Sequence, residues 1–293
     1  MTRNTRALGS KWMRSAALAA CIGILLATLP AGAAEALAGG APDAENPPLK
    51  VLFIGNSMTF FNDLPKMVHD MAESAPVGRP RIEVGRVLAG GKGLRYFWEG
   101  GTGEGTARAA IASGKWDYVV LQDIARPAPE QIETDITLFH KAIRSAGSKM
   151  LIFAHAPVSE AHNPRYTYPD YLKNCNDIQI EIAKKTKVAV AAGGYAWMKY
   201  LGPNPTVEQQ LDLYNEDKQH PGPKGTYIYA CVIYAILTGE NPAGLRHDFE
   251  KLRGWRTAAI PEDEALRMQK AAWEQYLENK LPTAEAEGPE NAK

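Results

Sequence analysis

The sequence is poor in cysteine, carries no excess of either charge, and lacks the common motifs of metal sites. Only three cysteines occur in 293 residues, too few for a disulfide framework. Lysine plus arginine and aspartate plus glutamate number 33 each, and no basic stripe stands out, which argues against nucleic acid or an anionic membrane surface as a partner. No H-E-x-x-H, EF-hand loop or paired C-x-x-C is present, so we expect neither a metal nor another cofactor.

Two motifs of other enzyme classes are also missing. The glycine-rich stretch at residues 101–105 is neither a Walker A loop nor a G-x-G-x-x-G sequence after a strand, so it predicts a flexible loop. The strained serine turn of the large lipase fold, G-x-S-x-G, does not occur either. These absences argue against a nucleotide-binding enzyme and against the lipase fold.

Residues 1–34 have the layout of a secretory signal peptide. Four basic residues precede an apolar run at 15–29, and small residues follow at 31–34. The basic residues are Arg3, Arg6, Lys11 and Arg14. An apolar run of about fifteen residues is short for a membrane span, which needs roughly twenty. We therefore expect cleavage after Ala33 or Ala34, a secreted or periplasmic protein and no stable membrane insertion, with an uncleaved membrane anchor as the alternative.

The three cysteines differ in their surroundings. Cys21 completes Leu-Ala-Ala-Cys, which matches the lipobox of bacterial lipoproteins, but the apolar run continues well past it. Lipid attachment at Cys21 is therefore an alternative to secretion. After cleavage Cys175 and Cys231 remain, and an exported protein can join two cysteines in one disulfide. Cys231 lies in an apolar run, which favours a buried free thiol.

Composition divides the rest of the chain into three parts. Residues 35–48 are rich in alanine, glycine and proline and predict a flexible lead-in. Residues 282–293 are polar and rich in alanine and glutamate, which predicts a disordered tail. Residues 49–281 between them are long enough for one large α/β domain.

Short apolar runs alternate with amphipathic segments through this domain. Apolar runs predict strands at residues 50–54, 118–122, 150–154 and 188–191, and alternation of apolar with polar residues predicts another at 81–88. Helical spacing predicts helices at residues 64–74, 131–146, 168–186, 223–238 and 261–279, and a short helix around Tyr96 and Trp98 within the loop 90–105. This alternation indicates parallel βαβ units, whose active sites lie beyond the carboxyl ends of the strands.

A serine follows the first predicted strand, in Gly55-Asn56-Ser57-Met58-Thr59. At this edge of the sheet a serine is accessible, and backbone N–H groups at the start of the next helix can bind a developing oxyanion. Taken alone the pattern is weak, because Ser57 and Thr59 can equally turn the chain and cap a helix.

A second segment supplies what a serine nucleophile lacks. Asp217 and His220 stand three residues apart in a loop, followed by a proline- and glycine-rich stretch and an apolar helix. A serine hydroxyl needs a base, usually histidine, and a carboxylate that fixes the tautomer of that histidine. A lone D-x-x-H is most often an ordinary surface histidine. Together with Ser57, in this order along the chain, the pair predicts a catalytic triad.

These segments together resemble the SGNH, or GDSL-like, hydrolases. The resemblance is closest to a bacterial subgroup with G-N-S-x-T, V-V-L-Q and D-x-x-H-P-x-x-x-G-x-Y, found here at residues 55–59, 119–122 and 217–227. It extends over about residues 50–240. It implies a flavodoxin-like three-layer α/β/α fold with a five-stranded parallel sheet, and hydrolysis through an acyl-Ser57 intermediate.

The resemblance also implies three oxyanion-hole donors. They are the Ser57 N–H, a glycine of the second conserved block and an asparagine of the third. Gly91 fits the glycine best, with Gly90 and Gly93 as alternatives.

The third block departs from the family pattern. The usual G-x-N-D is missing, and the chain reads V-L-Q-D-I-A-R from Val120 to Arg126. Gln122 ends the third strand, and its amide is the candidate third donor. Arg126 lies nearer the position of the asparagine, where it can bind a substrate carboxylate or be a solvated loop charge.

Four further residues are weaker candidates for substrate contact. His155 follows the fourth predicted strand and either lines the cleft or is structural. Tyr96, Trp98 and Trp197 either form an aromatic platform for a sugar ring or pack in the core.

The predicted function is a secreted serine esterase that removes a small acyl group, such as acetyl, from a carbohydrate or similar polar ester, either a small molecule or a polysaccharide. The carbohydrate follows only from family breadth and export. Two alternatives stay open. One is a weakly active or inactive carbohydrate-binding protein of the same fold, which the missing G-x-N-D motivates, and the other is an acyltransferase that uses the same serine.

Overall fold

The computed structural model describes residues 47–126, 128–249 and 258–279, all of which belong to one compact unit. The predicted signal peptide at 1–34, most of the predicted lead-in at 35–48 and the predicted tail at 282–293 lie outside the described residues. Within the described ranges, no helix combines the length and the apolar character needed to cross a bilayer.

Five parallel strands form the central sheet in the order β2-β1-β3-β4-β5. They are β1 (Leu49–Gly55), β2 (Ile82–Leu88), β3 (Tyr118–Leu121), β4 (Lys149–Ala154) and β5 (Ala189–Ala192). This order is that of flavodoxin-like sheets, so the predicted fold class is confirmed, and every strand end lies within one residue of its predicted place. Because the strands are parallel and Gly55 pairs with Leu88, the carboxyl ends of β1 and β2 meet at one edge.

Helices cover both faces of the sheet. One face packs against α2 (Leu64–Glu73), α7 (Gly193–Leu201), α9 (Pro223–Thr238) and α10 (Glu262–Asn279). The other face packs mainly against α3 (Leu94–Glu99), α4 (Ala107–Ala112), α5 (Pro129–Ser145) and α6 (Asp170–Thr186). Along β1, Val51 and Phe53 point into the first layer while Leu52 and Ile54 point into the second. Burial on both faces is why β1, β3 and β4 are largely apolar runs, whereas the edge strand β2 is only partly buried and mixes apolar with polar residues.

Several short elements have no counterpart in the sequence predictions. They are α1 (Ser57–Phe60), a 3₁₀ turn (Phe61–Asp63), α8 (Val207–Leu211), and the antiparallel pair β6 (Asp248–Phe249) and β7 (Ala258–Ala259). The helices α4 and α7 were not predicted either. In α7 the reason is its first two residues, Gly193 and Gly194, which read as a break in a helix. Their lack of a side chain serves packing, since a Cβ on Gly193 would lie 2.5 Å from the Tyr229 ring.

Cys175 and Cys231 are both buried free thiols, so the disulfide considered for them is not formed. Burial raises the pKa of the Cys175 thiol to about 11, and it raises the pKa of Cys231 as well. We expect both cysteines to be alkylated completely by iodoacetamide when the protein is denatured without reductant, as measured by peptide mass spectrometry. In the native protein alkylation should be slow, because both thiols are enclosed and protonated. A disulfide-linked peptide pair in the unreduced digest would contradict the structure.

Candidate active site

The turn at residues 55–59, here called the serine turn, begins at the carboxyl end of β1. β1 ends at Gly55 and α1 begins at Ser57, whose side chain is partly exposed. Between them Asn56 caps α1, because its Oδ1 accepts the Met58 N–H at 3.0 Å. As the first residue of α1, Ser57 has a backbone N–H for which the helix itself offers no acceptor. The serine hydroxyl and this N–H are therefore presented at the same edge of the sheet.

Asp217 and His220 lie in the loop before α9, and the His220 side chain reaches Ser57. Ser57 Oγ lies 2.9 Å from His220 Nε2, and His220 Nδ1 lies 2.7 Å from Asp217 Oδ2. The other Asp217 oxygen accepts the backbone N–H groups of Gln219 and His220, each at 2.9 Å. The loop thus fixes the carboxylate with its own backbone, and the three predicted triad residues come together although Ser57 and His220 are 163 positions apart.

Charge decides the direction of the two triad hydrogen bonds. Burial raises the pKa of Asp217, but the hydrogen bonds from the His220 ring and from the His220 and Gln219 backbones outweigh it and leave the pKa below its usual value. Asp217 is therefore an ionised acceptor at neutral pH, and His220 Nδ1 must donate to it. In the neutral imidazole Nε2 is then unprotonated and accepts the Ser57 hydroxyl proton. This tautomer is the one that general-base catalysis needs.

Phe61 covers one face of His220. The two rings are parallel within 1°, and their centroids are 3.9 Å apart. Phe61 begins the 3₁₀ turn that directly follows α1, the helix that carries Ser57. The chain segment after Ser57 therefore also limits the rotation of the His220 ring. Sequence reasoning missed Phe61, because its contact with His220 joins distant parts of the chain and leaves no local pattern.

The two residues after Phe61 have left-handed backbone. Asn62 and Asp63 have φ angles of 51° and 49°, a conformation that non-glycine residues rarely adopt. Side-chain bonds hold them there. Asn62 Nδ2 donates to the Pro221 carbonyl at 2.9 Å, and Arg86 donates to Asp63 at 2.8 Å. Pro221 follows His220 in the loop before α9, here called the histidine loop. The Asn62 hydrogen bond therefore joins the segment that follows Ser57 to the histidine loop.

The glycine-rich loop after β2 borders the serine turn. Asn56 Nδ2 donates to the Lys92 carbonyl at 2.9 Å, and the Phe60 ring lies 3.7 Å from where a Cβ on Gly90 would be. Gly91 is exposed, and its φ of +67° requires glycine. The loop that carries all three predicted glycines therefore lies beside Asn56 and Phe60, and donation by Gly91 stays a prediction.

Comparison with solved structures identifies the fold that carries this arrangement. A protein from Slackia heliotrinireducens, described as a candidate SGNH hydrolase, superposes with a TM-score of 0.54 at 21% sequence identity. The match covers 65% of this chain and 100% of the other. The chain has the SGNH-hydrolase fold. That part of the sequence-based prediction is confirmed.

Two further solved structures are more distant. LAE5, an alpha/beta hydrolase enzyme from the metagenome of Lake Arreo, Spain, matches with a TM-score of 0.49 at 14% identity, over 66% of this chain and 96% of its own. The acetyl xylan esterase AlAXEase matches with a TM-score of 0.48 at 14% identity, over 64% of this chain and 100% of its own. No protein-family model and no curated protein sequence matches the chain.

Within this SGNH fold, Gln122 does not have the role that the sequence suggested. Its side chain is fully buried, its Oε1 accepts the Asn56 N–H at 2.8 Å and the Thr59 hydroxyl at 2.9 Å, and its amide nitrogen donates to the Asp123 carbonyl. An enclosed amide that is already bonded to the backbone cannot reach an oxyanion in the cleft. The prediction of Gln122 as third donor is therefore wrong.

Arg126 is occupied by a neighbour in the loop. Its guanidinium lies 3.6 Å from the Asp123 carboxylate, which is 1% exposed, while Arg126 is 34% exposed. Burial raises the pKa of Asp123, and the hydrogen bonds from the Ile124 and Leu94 backbones, which act to lower it, do not outweigh burial. Arg126 therefore lies near a buried carboxylate without a hydrogen bond to it, and its role in binding a substrate carboxylate stays a prediction.

His155 is enclosed rather than in the cleft. It is 2% exposed, and its ring nitrogens face two backbone carbonyls, Ala156 O at 2.5 Å and Asp123 O at 3.0 Å. Burial lowers the pKa of His155, and the two hydrogen bonds, which act to raise it, do not outweigh burial. The structural alternative for His155 is the correct one, since the ring joins the segments that follow β3 and β4.

Two of the three predicted platform aromatics pack against other rings, Trp197 being buried and Trp98 half-buried. Trp197 is 2% exposed and stacks on Tyr229, and Trp98 packs edge-on against Phe139 with the Arg108 guanidinium over its ring. Tyr96 differs, since it is 51% exposed and lines a groove of about 470 Å³ beside the end of β2. Tyr96 is the most exposed of the three, and the Lys92 ammonium lies 4.9 Å from the centre of its ring. Among the described residues, no group of three or more His, Cys, Asp or Glu side chains is arranged to hold a metal ion.

Proposed function

We propose that this protein is a serine esterase in which Ser57 is the nucleophile, His220 the general base and then acid, and Asp217 the residue that orients His220. The observation that carries the proposal is the unbroken hydrogen-bonded series from Ser57 Oγ to His220 and from His220 to Asp217, at 2.9 and 2.7 Å. These distances lie within the range for a nucleophile, its base and the orienting carboxylate.

The first half of the reaction acylates the serine. Ser57 Oγ attacks the ester carbonyl carbon as its proton moves to His220 Nε2, and Asp217 stabilises the imidazolium. The carbonyl oxygen becomes an oxyanion that accepts the N–H groups of Ser57 and Gly91. The oxyanion then collapses, the bond to the alcohol oxygen breaks, and His220 gives its proton to the departing alcohol.

The second half releases the acid. A water molecule attacks the acyl-Ser57 carbonyl while His220 takes its proton, and the same N–H groups bind the second oxyanion. Collapse breaks the bond to Ser57 Oγ, which regains its proton from His220. The products are a carboxylic acid, the alcohol and the unchanged enzyme.

The substrate we propose is a small acyl group, such as acetyl, carried by a carbohydrate or similar polar molecule. The exposure of the site supports a large alcohol portion, because Ser57 is partly exposed and the Asp217 side chain is 41% exposed. A polysaccharide can stay outside the protein while one ester enters. The exposed ring of Tyr96 is of the type that stacks on sugars. We also propose export, which the layout of residues 1–34 supports.

Fluorophosphonate labelling tests the proposal without knowledge of the substrate. We expect the purified protein to become phosphonylated on the peptide that contains Ser57, located by mass spectrometry. The label should vanish in Ser57→Ala and in His220→Ala, because an unactivated serine does not react. Ser113→Ala, which removes an exposed serine on the far end of α4, is the matched control and should label fully.

Other outcomes separate the remaining candidates. A folded protein that is never labelled at Ser57 would exclude the esterase and leave the binding protein, which the buried amide of Gln122 favours because one oxyanion donor is lost. An acyltransferase would be labelled as an esterase is. It would differ in giving acylated sugar rather than free acid when a sugar acceptor is added.

A further inference from the structure

Two consecutive buried residues, Gln122 and Asp123, directly follow β3 at the edge of the sheet that carries Ser57. They are 0% and 1% exposed. Neither side chain reaches the cleft, yet each binds one of the two segments that supply the proposed oxyanion donors. This placement calls for an explanation other than donation to substrate.

Gln122 holds the serine turn from below. Its Oε1 accepts the Asn56 N–H and the Thr59 hydroxyl, the residues that flank Ser57 at one and two positions. The contact is so close that a Cβ on Gly55 would lie 2.6 Å from the same oxygen. The direction of the Ser57 N–H therefore depends on the Gln122 carbonyl oxygen.

Asp123 holds the end of the glycine-rich loop. Its Oδ1 accepts the Leu94 N–H at 3.1 Å and the Ile124 N–H at 2.8 Å. A Cβ on Gly93 would lie 2.7 Å from this oxygen, so the loop approaches the carboxylate as closely as only glycine allows. The position of Gly91, two residues earlier, follows from this anchor.

The backbone of Asp123 locks the pair together. Its carbonyl accepts the Gln122 amide, and His155 Nε2 lies 3.0 Å from the same oxygen. The two anchors are therefore parts of one buried network that reaches from β3 to the end of β4. Hydrogen bonds of this kind resist displacement, because a buried polar group that loses its partner is costly, although the Asp123 Oδ2 atom itself has none among the described residues.

We propose that Gln122 and Asp123 are positioning residues that hold the Ser57 and Gly91 backbones at a fixed separation, so that the oxyanion hole works with two backbone donors and no side-chain donor. The inference rests on the proposed esterase function. In this proposal the residues after β3 align the Ser57 and Gly91 backbones and do not themselves donate a hydrogen bond to the oxyanion. The chemistry it needs from each side chain is a hydrogen-bond acceptor, not a charge.

The charge requirement separates two Asp123 variants. Asp123→Asn keeps Oδ1 as the acceptor of the Leu94 N–H, whereas Asp123→Ala removes it. We expect Asp123→Ala to slow fluorophosphonate labelling about 100-fold, the order of loss caused by a misplacement of about 1 Å, and Asp123→Asn to stay within about 3-fold of the wild type. Burial raises the pKa of Asp123 because it disfavours the charged carboxylate, and asparagine keeps the acceptor oxygen without that charge.

Gln122→Ala should slow labelling by a similar factor and lower kcat for p-nitrophenyl acetate with little change in KM, since transition-state contacts are affected and substrate binding is not. Gln179→Ala is the matched control. Gln179 is a buried glutamine of α6, 1% exposed, whose amide bonds only the Cys175 carbonyl one turn away. It should lose stability and keep its labelling rate. If Gln122→Ala does not fold, Thr59→Val removes the hydroxyl partner of Gln122 and tests the same contact.

Hydrogen–deuterium exchange gives a readout that does not need activity. The Asn56 amide should exchange faster in Gln122→Ala, and the Leu94 amide should exchange faster in Asp123→Ala but not in Asp123→Asn. Unchanged exchange, or equal loss of labelling in Asp123→Asn and Asp123→Ala, would overturn the inference. A wild type that is never labelled while these amides respond as expected would instead overturn the esterase function and leave the positioning network standing.

Discussion

Replacing Ser57 with alanine should lower kcat for p-nitrophenyl acetate by about 10⁵- to 10⁶-fold, and His220→Ala should cost about as much. The Ser57 hydroxyl is 2.9 Å from His220 Nε2, so each residue is ineffective without the other. The double variant should therefore be no slower than either single variant. Residual catalysis of about 10³- to 10⁴-fold over water should persist if the oxyanion donors remain.

Asp217→Asn extends the same prediction to the third residue. The amide can turn its NH₂ toward His220 Nδ1, which then accepts and leaves the proton on Nε2, facing Ser57. We expect a loss of about 10⁴-fold in kcat with the fold intact. His140→Ala, which removes a partly exposed histidine of α5, should leave kcat unchanged. A Ser57→Ala variant with wild-type turnover would place the nucleophile elsewhere, and additive losses in the double variant would show that Ser57 and His220 do not act as a unit.

Gly225→Ala should destabilise the protein by about 3 kcal/mol or more, the upper range for overpacking a buried site. A Cβ at this position would lie 2.2 Å from the Leu213 carbonyl oxygen and 2.3 Å from the Trp197 ring. Neither neighbour can move easily. The Leu213 carbonyl accepts the Gly222 N–H at 2.8 Å, and the Trp197 indole stacks on Tyr229 and donates to the Gly225 carbonyl at 3.0 Å.

The loss should appear as a fall in Tm of about 6 to 12 °C, measured by circular dichroism, if a domain of this size loses about 2 to 4 °C per kcal/mol. Labelling at Ser57 should fall as well, because Gly225 lies in the first turn of α9, the helix that follows the loop carrying His220. Gly103→Ala is the control. Nothing lies within 4 Å of the Cβ it would add, and its φ is not in the left-handed region, so its Tm should match the wild type. An unchanged Tm in Gly225→Ala would mean that α9 and Trp197 pack less tightly than the structure has them.

The long periodic elements could be predicted from sequence because local pattern and tertiary burial agree in them. The apolar face of α2 illustrates this, since Leu64, Met67, Val68 and Met71 stand at helical spacing in the sequence and are all 0% exposed. The helix α9 has the predicted bounds, Pro223–Thr238, because Pro223 begins it and Gly239, with a φ of 74°, ends it. Shorter elements such as α1 and α8 have too few turns to show a period.

The site divides along a similar line. The order of Ser57, Asp217 and His220, each beside chain-turning residues, was enough to predict that they meet. Phe61 and Asn62 were not predictable, because their partners His220 and Pro221 are about 160 positions away and nothing local marks them. Gln122 and His155 were predicted at the correct edge of the sheet but with the wrong surroundings. Strand position decides where a side chain starts, and only packing decides whether it ends in solvent or in the core.

By itself the sequence determined the α/β class, the five strands and most long helices. The reason is that burial of strands in a sheet and of one face of each helix requires apolar residues at regular spacings, which can be recognised in the sequence. It also determined which polar residues stand after the strands. The tertiary structure decided which of them are accessible and what each one bonds. Hydrogen bonds between segments far apart in the chain depend on distances of a few tenths of an ångström, and no pattern of neighbouring residues encodes such distances.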